Sequence, residues 1–299
     1  MIKKLLQFFK NTPHDALKVH LILCNLSDTI FYKGVKMMVE EFFSVLCEVV
    51  QKAGEAVLQI ADNGFSTAYK ANQDPVTVAD LEANRILREK LLRRFPDFGW
   101  LSEETQDNME RLKKKWVWVV DPIDGTKEFI DGIPEFTISV ALVREGHPLI
   151  AAIYNPTTKE LFTAMRGKGA WLNGNRIQAN HILKDRPIIL ASRSEVKRGE
   201  FQPFEAYAIV KPVGSIAYKL SLVAAGRADA TFSLGPKNEW DIAAGVLLVE
   251  EAGGRVTDKE GNPFKFNQPN TLVNGIIAAT QDTYHLIRSM IEKVPRKED

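Results

Sequence analysis

Hydrophobic residues recur at steps of three and four from Met38 onward, and this period predicts a long amphipathic helix. Its apolar positions are Phe42, Leu46, Val49, Ala53, Val57 and Ile60. A second segment with the same period ends at Pro96, and its apolar positions are Ala83, Leu87, Leu91 and Phe95. Because helices end at or before a proline, the second helix stops there, and Asp80 lies at its start.

Two short apolar runs that follow these helices end in acidic residues. Residues 98–102 are followed directly by Glu103, and the β-branched run 117–120 is followed by Asp121. Short apolar runs with polar boundaries are typical of buried strands. Ligands bind at the carboxyl ends of strands in α/β sheets, so carboxylates at these two places indicate a ligand site.

The second half of the chain continues with strands and then alternates strands with helices. An antiparallel meander is predicted from residues 136–144, 149–155 and 160–165. Further strands are predicted at 188–192, 206–210, 228–233 and 275–280, and helices at 215–225, 241–252 and up to about residue 293. We expect three parts: an N-terminal extension of unknown role (1–36), an N-terminal α+β lobe (37–170) and a C-terminal α/β lobe (171–299).

Composition limits the classes of partner. The chain has 299 residues, 45% hydrophobic and 26% charged, which suffices for one large core or two lobes. A net charge of +1 without a long basic run argues against a nucleic-acid polymer or a membrane surface. Residues 16–26 are apolar but too few to span a bilayer. Two cysteines give no disulfide framework, so we expect a cytoplasmic protein, and the apolar extension suits a homodimer interface.

The segment Asp121-Pro122-Ile123-Asp124-Gly125-Thr126 carries the strongest chemical signal. Pro122 and Gly125 break the preceding strand, so that two carboxylates lie at its end. We expect Thr126 to cap a short helix whose first amides and positive dipole end attract an anion. Oxygen ligands beside an anion site are typical of a divalent metal ion that binds a phosphate group.

Acidic residues from four segments are candidates for this site. They are Asp80, Glu103, Asp121, Asp124 and Asp241. If they converge, each like-charge pair at ~4 Å costs about 4 kcal/mol at an effective dielectric constant of about 20, so only cations make the cluster tolerable. Mg²⁺ is suitable because it prefers oxygen ligands and keeps several waters, and a substrate phosphate completes its coordination.

Each candidate also has a purely structural interpretation. Asp80, Thr126 and Asp241 are good helix caps, and capping alone accounts for their residue types. Lys127 suits an exposed helical turn, and Lys219 suits a solvent-exposed surface. These residues taken singly leave both interpretations open.

Four motifs in register make the chain similar to the inositol monophosphatase superfamily. They are Asp74-Pro75-Val76-Thr77-Val78-Ala79-Asp80, Glu103-Glu104, Asp121-Pro122-Ile123-Asp124-Gly125-Thr126 and Glu239-Trp240-Asp241-Ile242-Ala243-Ala244-Gly245. The resemblance covers the chain from Met38 to its C-terminus. It implies an α+β fold, a layered αβαβα sandwich of the inositol monophosphatase and fructose-1,6-bisphosphatase type. It also implies a magnesium-dependent, lithium-sensitive phosphate monoesterase that acts on a small phosphorylated substrate.

The same resemblance implies a role for each motif residue. One Mg²⁺ would be held by Glu103, Asp121 and the Ile123 carbonyl. A second would be held by Asp121, Asp124 and Asp241, with two or three ions per site and Mn²⁺ as an alternative ion. The catalytic pair, Asp80 and Thr126, would orient and deprotonate the attacking water. The expected substrate-binding residues are Gly125, Thr126, Lys127, Ser192, Lys219 and Glu239.

Two segments are most similar to the 3′(2′),5′-bisphosphate nucleotidases of this superfamily. They are Thr126-Lys127-Glu128-Phe129 and Ala191-Ser192-Arg193-Ser194. The inositol enzymes usually carry Thr-Asn-Phe after the glycine and threonine. This similarity predicts removal of the 3′-phosphate of adenosine 3′,5′-bisphosphate to give AMP. Lys219 lies one position later than the lysine usual in the nucleotidases, so inositol 1-phosphate, fructose 1,6-bisphosphate and histidinol phosphate stay open as substrates.

Two other classes of protein share parts of this pattern. A haloacid-dehalogenase-type phosphatase also has Asp-Gly-Thr after a strand, but its nucleophilic aspartate lies two residues before the second one, where this chain has Pro122. A non-catalytic, metal-dependent regulatory or binding protein could use the same fold. The presence of all five expected acids and of Thr126 favours an enzyme.

Overall fold

The computed structural model describes residues 13–70, 74–180 and 186–294, with side chains from Met38 onward. The chain divides into two compact units, residues 1–44 and 45–299. Both large sheets and the candidate site belong to the second unit. None of the helices in the described ranges is long and apolar enough to cross a membrane.

Seven α-helices lie in the described ranges. They are α1 (Pro13–Asn63), α2 (Val78–Arg94), α3 (Thr126–Ile130), α4 (Arg193–Lys197), α5 (Ile216–Ala224), α6 (Glu239–Glu251) and α7 (Tyr284–Lys293). The start of α1 differs from the predicted start at Met38, because proline is tolerated in the first helical turn and no further proline interrupts residues 14–63. Gly64, with a left-handed φ of 78°, ends this helix. Residues 1–12 of the predicted extension lie outside the described residues.

The strands of the described chain are numbered in sequence order. They are β1 (Thr67–Tyr69), β2 (Pro75–Thr77), β3 (Gly99–Ser102), β4 (Trp116–Asp124), β5 (Thr137–Arg144), β6 (His147–Asn155), β7 (Glu160–Met165), β8 (Gly169–Leu172), β9 (Asn175–Ile177), β10 (Ile188–Ala191), β11 (Ile209–Pro212), β12 (Ala230–Ser233), β13 (Lys237–Asn238), β14 (Arg255–Thr257), β15 (Leu272–Val273) and β16 (Ile276–Ala279).

The larger sheet contains seven strands in the order β3-β4-β5-β6-β7-β8-β9. β3 and β4 are parallel, and every later pair is antiparallel, as the predicted meander requires. Because β3 and β4 are parallel, Glu103 and Asp121 come to the same edge of the sheet. The sheet continues past residue 170 to Ile177, and the division into two lobes stays a prediction.

The smaller sheet has the order β11-β10-β12-β16-β14. β10 is parallel to both of its neighbours, and β16 is antiparallel to both of its own. The strand predicted at residues 206–210 is found at Ile209–Pro212. A 3₁₀ turn at Gln202–Phe204 and the turns after it occupy the preceding residues, and Ala208 is buried there.

Hydrophobic side chains join the elements into five layers. Val117 and Val119 of β4 face a core that also contains residues of α5, α6, β14 and β16. Trp118 points to the opposite face of the same strand, where its ring centroid lies 6.2 Å from that of Phe95 beside α2. The other face of the smaller sheet packs against α7 through Ile287. The predicted αβαβα sandwich is therefore confirmed.

Gly245 allows α5 and α6 to approach each other closely. A Cβ atom at this position would lie 2.3 Å from Leu220 Cδ1 and 2.8 Å from Leu220 Cβ. α6 carries Asp241, and Ser215 caps the start of α5. The contact thus fixes two elements that supply the candidate site.

Gly245→Ala is expected to destabilise the fold by about 1 to 3 kcal/mol, because the new methyl group overlaps Leu220. This loss exceeds the gain of about 0.5 to 1 kcal/mol that alanine gives in a helix interior. Urea unfolding measures the difference. In the control, Gly245→Ala combined with Leu220→Ala should lose less stability than the sum of the two single losses. A Gly245→Ala protein as stable as the parent would contradict the close approach.

Candidate active site

A cleft of about 560 Å³ opens where β3 and β4 end. The predicted site residues that line it are Glu103, Asp121, Ile123, Asp124, Gly125, Thr126, Lys127, Ser192, Lys219 and Asp241. Asp80 lies just behind it and bonds to Thr126. Glu239 is the predicted residue that the structure places elsewhere.

A bulge in β4 turns both of its aspartates to the same side. Asp121 lies opposite Ser139 of β5, and the pairing resumes with Asp124 opposite Thr137. Residues three apart in a regular strand point to opposite faces, but one extra residue restores the same face. Pro122 suits this position because it has no N–H to donate to the ladder.

Glu103, Asp121 and Asp241 form a cluster with the geometry of a metal site. One carboxylate oxygen from each lies within 4.8 Å of the other two. Glu103 follows β3, and its backbone N–H donates to the Val120 carbonyl oxygen at 3.2 Å. Asp241 reaches the same point from the first turn of α6.

Burial and mutual repulsion raise the pKa values of these acids. Asp121 is 2% exposed, and burial, followed by repulsion from Glu103 and Asp124, raises its pKa well above the usual range. Burial, followed by repulsion from Asp124, raises the pKa of Asp241 to about 8. Asp121 Oδ1 is buried and has no hydrogen-bond partner within the described part of the chain. A divalent cation stabilises such an oxygen, so the donor set fits Mg²⁺.

Asp124 is anchored by the start of α5. Its Oδ2 accepts hydrogen bonds from Ser215 Oγ and Ala217 N, both at 2.6 Å. Ser215 has a φ of 56°, in a region where a residue other than glycine is strained by about 1 to 3 kcal/mol. Burial is the largest cause that raises the pKa of Asp124. The anchoring occupies one oxygen and leaves the other for the cleft.

Thr126 does not cap α3, contrary to the sequence prediction. Gly125 occupies the N-cap position with a φ of 99°, which favours glycine over threonine. The Thr126 hydroxyl donates to Asp80 Oδ1 at 3.0 Å and lies 3.1 Å from the Ile123 carbonyl oxygen. The structure therefore brings together the predicted catalytic pair and the predicted carbonyl ligand.

Asp80 and Asp241 are each the third residue of a helix, and neither is the N-cap. Thr77 caps α2, and Asp80 Oδ2 accepts from Thr77 N at 2.7 Å. Asn238 caps α6, and Asp241 Oδ2 accepts from Asn238 N at 2.8 Å. Each carboxylate closes a capping box with one oxygen and has a second oxygen to offer. Capping and a role in the site are thus compatible in the same side chain.

The predicted substrate residues differ in what they can contact. Lys127 is exposed at the cleft, and its ammonium makes no hydrogen bond or ion pair within the ranges that the structure describes. Lys219 is only 1% exposed, so its alternative interpretation as a surface lysine is wrong. Its ammonium donates to Ser192 Oγ at 3.3 Å, the Val213 carbonyl at 3.2 Å and the Ser215 carbonyl at 3.1 Å. These acceptors use all three hydrogens, so Lys219 contributes charge to the cleft, and burial lowers its pKa to about 8.

Glu239 lies outside the cleft, contrary to the prediction that it binds substrate. It is fully buried, and its two oxygens accept from the backbone N–H groups of Asn267 at 2.5 Å and Gln268 at 2.8 Å. Burial raises its pKa to about 7. Residues two apart in a helix point in different directions, so Glu239 cannot follow Asp241 into the site.

Three basic residues near the site were missed by sequence analysis. Lys70 Nζ lies 2.7 Å from Glu103 Oε1 and 2.5 Å from a Glu104 oxygen. Lys197 and Lys237 line the cleft. Lys237 precedes Asp241 by four residues, and this proximity was the only signal in the sequence.

The comparisons with known proteins agree with this fold. The profile of the inositol monophosphatase family matches residues 38–296. An inositol-1-monophosphatase from Rhizobium meliloti (strain 1021) is 38% identical over 232 residues, 73% of this chain and 85% of that protein. The 3′(2′),5′-bisphosphate nucleotidase CysQ from Escherichia coli (strain K12) is 33% identical over 244 residues, 77% and 95% of the two chains.

A solved structure shows the same architecture. The extragenic suppressor protein suhB from Bartonella henselae has a TM-score of 0.74 at 32% identity, covering 84% of this chain and 98% of that one. Fold, carboxylate cluster and comparisons together define a metal-dependent phosphatase. The chain belongs to the inositol monophosphatase family.

The raised pKa values predict that the metal-free protein loses stability as the pH rises from about 5 to about 8. The folded state keeps protons on Asp121 and Asp241 that the unfolded state releases near its ordinary aspartate pKa, so rising pH favours unfolding. One such group contributes at most about 1.4 kcal/mol per pH unit. Thermal unfolding in chelator and in Mg²⁺ measures the effect. Mg²⁺ and Asp241→Asn should each make the melting temperature depend less steeply on pH. Equal slopes of melting temperature against pH with and without Mg²⁺ would contradict this prediction.

Proposed function

We propose that this protein removes the 3′-phosphate of adenosine 3′,5′-bisphosphate to give AMP, with Mg²⁺ as cofactor. The observation that carries this proposal is the charge layout of the cleft. Carboxylates lie at the ends of β3 and β4, and several cations line the same cleft. They are Lys127, Arg193, Lys197, Lys219 and Lys237. A bisphosphate supplies one anionic group for the metal ions and a second for these cations. Among them, Lys219 acts only through its charge, and Arg193 already pairs with Glu135 at 2.6 Å.

The residues that would hold the metal ions follow from the carboxylate positions. Glu103, Asp121 and the Ile123 carbonyl suit one ion. Asp121, Asp124 and Asp241 suit a second. When bound, Mg²⁺ would polarise the phosphoryl oxygens and stabilise the leaving oxygen. The unpartnered Asp121 Oδ1 supports this assignment most directly.

Asp80 and Thr126 would handle the proton of the attacking water. The Thr126 hydroxyl donates to Asp80 Oδ1, so its oxygen can accept a hydrogen bond from a water in the cleft. Burial raises the pKa of Asp80, which makes its carboxylate a stronger base. A proton would thus pass from the water to Thr126 as Thr126 gives its own proton to Asp80. Water is the nucleophile, and no phosphoenzyme is needed.

The second candidate substrate is inositol 1-phosphate, because the relative from Rhizobium meliloti is named as an inositol-1-monophosphatase. A monophosphate would leave the cations of the cleft without a second anionic group. Fructose 1,6-bisphosphate and histidinol phosphate are further candidates. The cytoplasmic location and the homodimer are parts of this proposal that rest on composition and on the N-terminal extension.

Lys127→Ala is expected to lower kcat/KM for adenosine 3′,5′-bisphosphate by about ten- to a hundred-fold. This factor corresponds to the loss of one lysine–phosphate contact, which contributes about 1.5 to 3 kcal/mol. The loss on inositol 1-phosphate should be much smaller. Initial rates on both substrates measure the difference. Lys168→Ala, an exposed lysine at the turn between β7 and β8, is the control and should change neither rate. Equal losses on both substrates, or a parent preference for inositol 1-phosphate, would overturn the assignment of the substrate.

Asp124→Asn is expected to keep the fold and to lower turnover by several orders of magnitude, because the substitution removes a charge that would bind a metal ion. Excess chelator should abolish activity in the parent protein, and Mg²⁺ should restore it. Circular dichroism reports the fold. Asp97→Asn, at an exposed turn, serves as control. Parent-level turnover in Asp124→Asn would show that Asp124 is only a turn residue.

A further inference from the structure

We infer that Glu239 and Arg111 are positioning residues that hold Asp241 at the carboxylate cluster and thereby set the affinity of the site for Mg²⁺. The inference rests on the proposed function, in which Asp241 is a metal ligand. Neither residue lines the cleft, so both would act through Asp241.

Asp241 differs from the other two acids of the cluster in how it is placed. Ser102 of β3 pairs with Val120 of β4, and Glu103 and Asp121 are the residues that follow them. The sheet therefore fixes the separation of these two acids. Asp241 belongs to α6, and its distance from the strand ends depends on where the first turn of that helix lies. Packing of α6 on the sheet fixes the body of the helix, but the first turn needs contacts of its own.

Glu239 supplies such contacts at the first position of α6. Its carboxylate accepts from two successive backbone N–H groups, those of Asn267 and Gln268. Its own backbone N–H donates to the Thr271 carbonyl oxygen at 2.9 Å. The first turn of α6 is therefore attached to the loop 267–271 by three hydrogen bonds.

Arg111 holds the same loop through other atoms of the same two residues. It is 2% exposed, and its guanidinium donates to Asn267 Oδ1 at 2.6 Å and to the Gln268 carbonyl oxygen at 2.9 Å. Its Nε donates to Asp107 Oδ2 at 2.9 Å. A Cβ atom at Gly99, the first residue of β3, would lie 3.1 Å from Arg111, so the arginine packs directly on β3. The loop thus joins the strand that leads to Glu103 with the helix that carries Asp241.

The two side chains that make this connection, Glu239 and Arg111, are buried and each is hydrogen-bonded to the loop, which makes the connection rigid. Groups that orient metal-binding side chains change metal affinity by about ten- to a hundred-fold when they are lost. Glu239→Gln keeps the size of the side chain but turns an amide N–H₂ toward one of the two backbone N–H groups. That N–H loses its acceptor, so the first turn of α6 keeps only two of its three hydrogen bonds to the loop.

Glu239→Gln is expected to weaken Mg²⁺ binding, measured by calorimetry without substrate, by about ten-fold or more. The matched control is Glu250→Gln, near the other end of α6. There Glu250 Oε2 pairs with Arg166 Nη2 at 3.0 Å, and both side chains are 37% exposed. The control should stay within about two-fold of the parent, because an exposed ion pair contributes little. A lower melting temperature in chelator with an unchanged Mg²⁺ affinity would show that Glu239 is only structural and would overturn the inference.

Asn267→Gly tests the same connection if Glu239→Gln fails to fold. Asn267 has a φ of 59°, which glycine adopts without strain, and the substitution removes one acceptor of Arg111. It should also weaken Mg²⁺ binding, by about three-fold or more. Asp241→Asn separates the two hypotheses. If Asp241→Asn leaves Mg²⁺ binding unchanged, the proposed ligand set fails. If Asp241→Asn weakens binding while Glu239→Gln and Asn267→Gly do not, only the positioning role fails.

Discussion

Repulsion between buried carboxylates is the constraint on which the rest of the structure depends. Asp121 is almost completely buried, and the largest charges acting on it, from Glu103, Asp124, Asp241 and Asp80, are all negative. The fold places these acids together instead of separating them, at a cost that burial increases. A bound cation adds an attraction to each of these carboxylates and so offsets their mutual repulsion. Metal binding and the stability of the folded chain are therefore coupled at this one place.

The fold keeps three of these acids in position by giving each a second, structural bond. Asp80 and Asp241 close the capping boxes of two helices, and Asp124 accepts from the start of a third. Each bond uses one carboxylate oxygen and fixes the direction of the other. Asp121 is different, because the bulge of its strand orients it and its Oδ1 is left without a partner. Its position at the centre of the cluster is consistent with a ligand shared between two ions.

The sequence predicts the acids of the site better than it predicts the side chains around them. Strand ends, and the residues that break a strand, are local features of the sequence. The pattern alone therefore predicts that Glu103 and Asp121 lie at the same edge of the sheet. The predicted capping role of Thr126 was wrong because Gly125, the residue directly before it, takes the left-handed N-cap conformation. The types of two adjacent residues do not decide which of them caps the helix. The burial of Lys219 and the hydrogen-bond partners of Glu239 depend on segments distant in the chain. Sequence distance from a motif carries no information about such contacts.

The buried and the exposed cations of the cleft have different consequences for specificity. The ammonium hydrogens of Lys219 are donated to protein acceptors, so this residue does not need to contact the substrate. Its positive charge acts on Asp124 whichever substrate is bound. Lys127 lies in the exposed first turn of a short helix and can be exchanged without disturbing the core. The family relatives at 33% and 38% identity carry the names of a nucleotidase and an inositol phosphatase. Such a difference in substrate at similar identity is expected when the acids of the site lie at strand ends and helix starts that pack in the core. A few exposed side chains can then select the rest of the substrate.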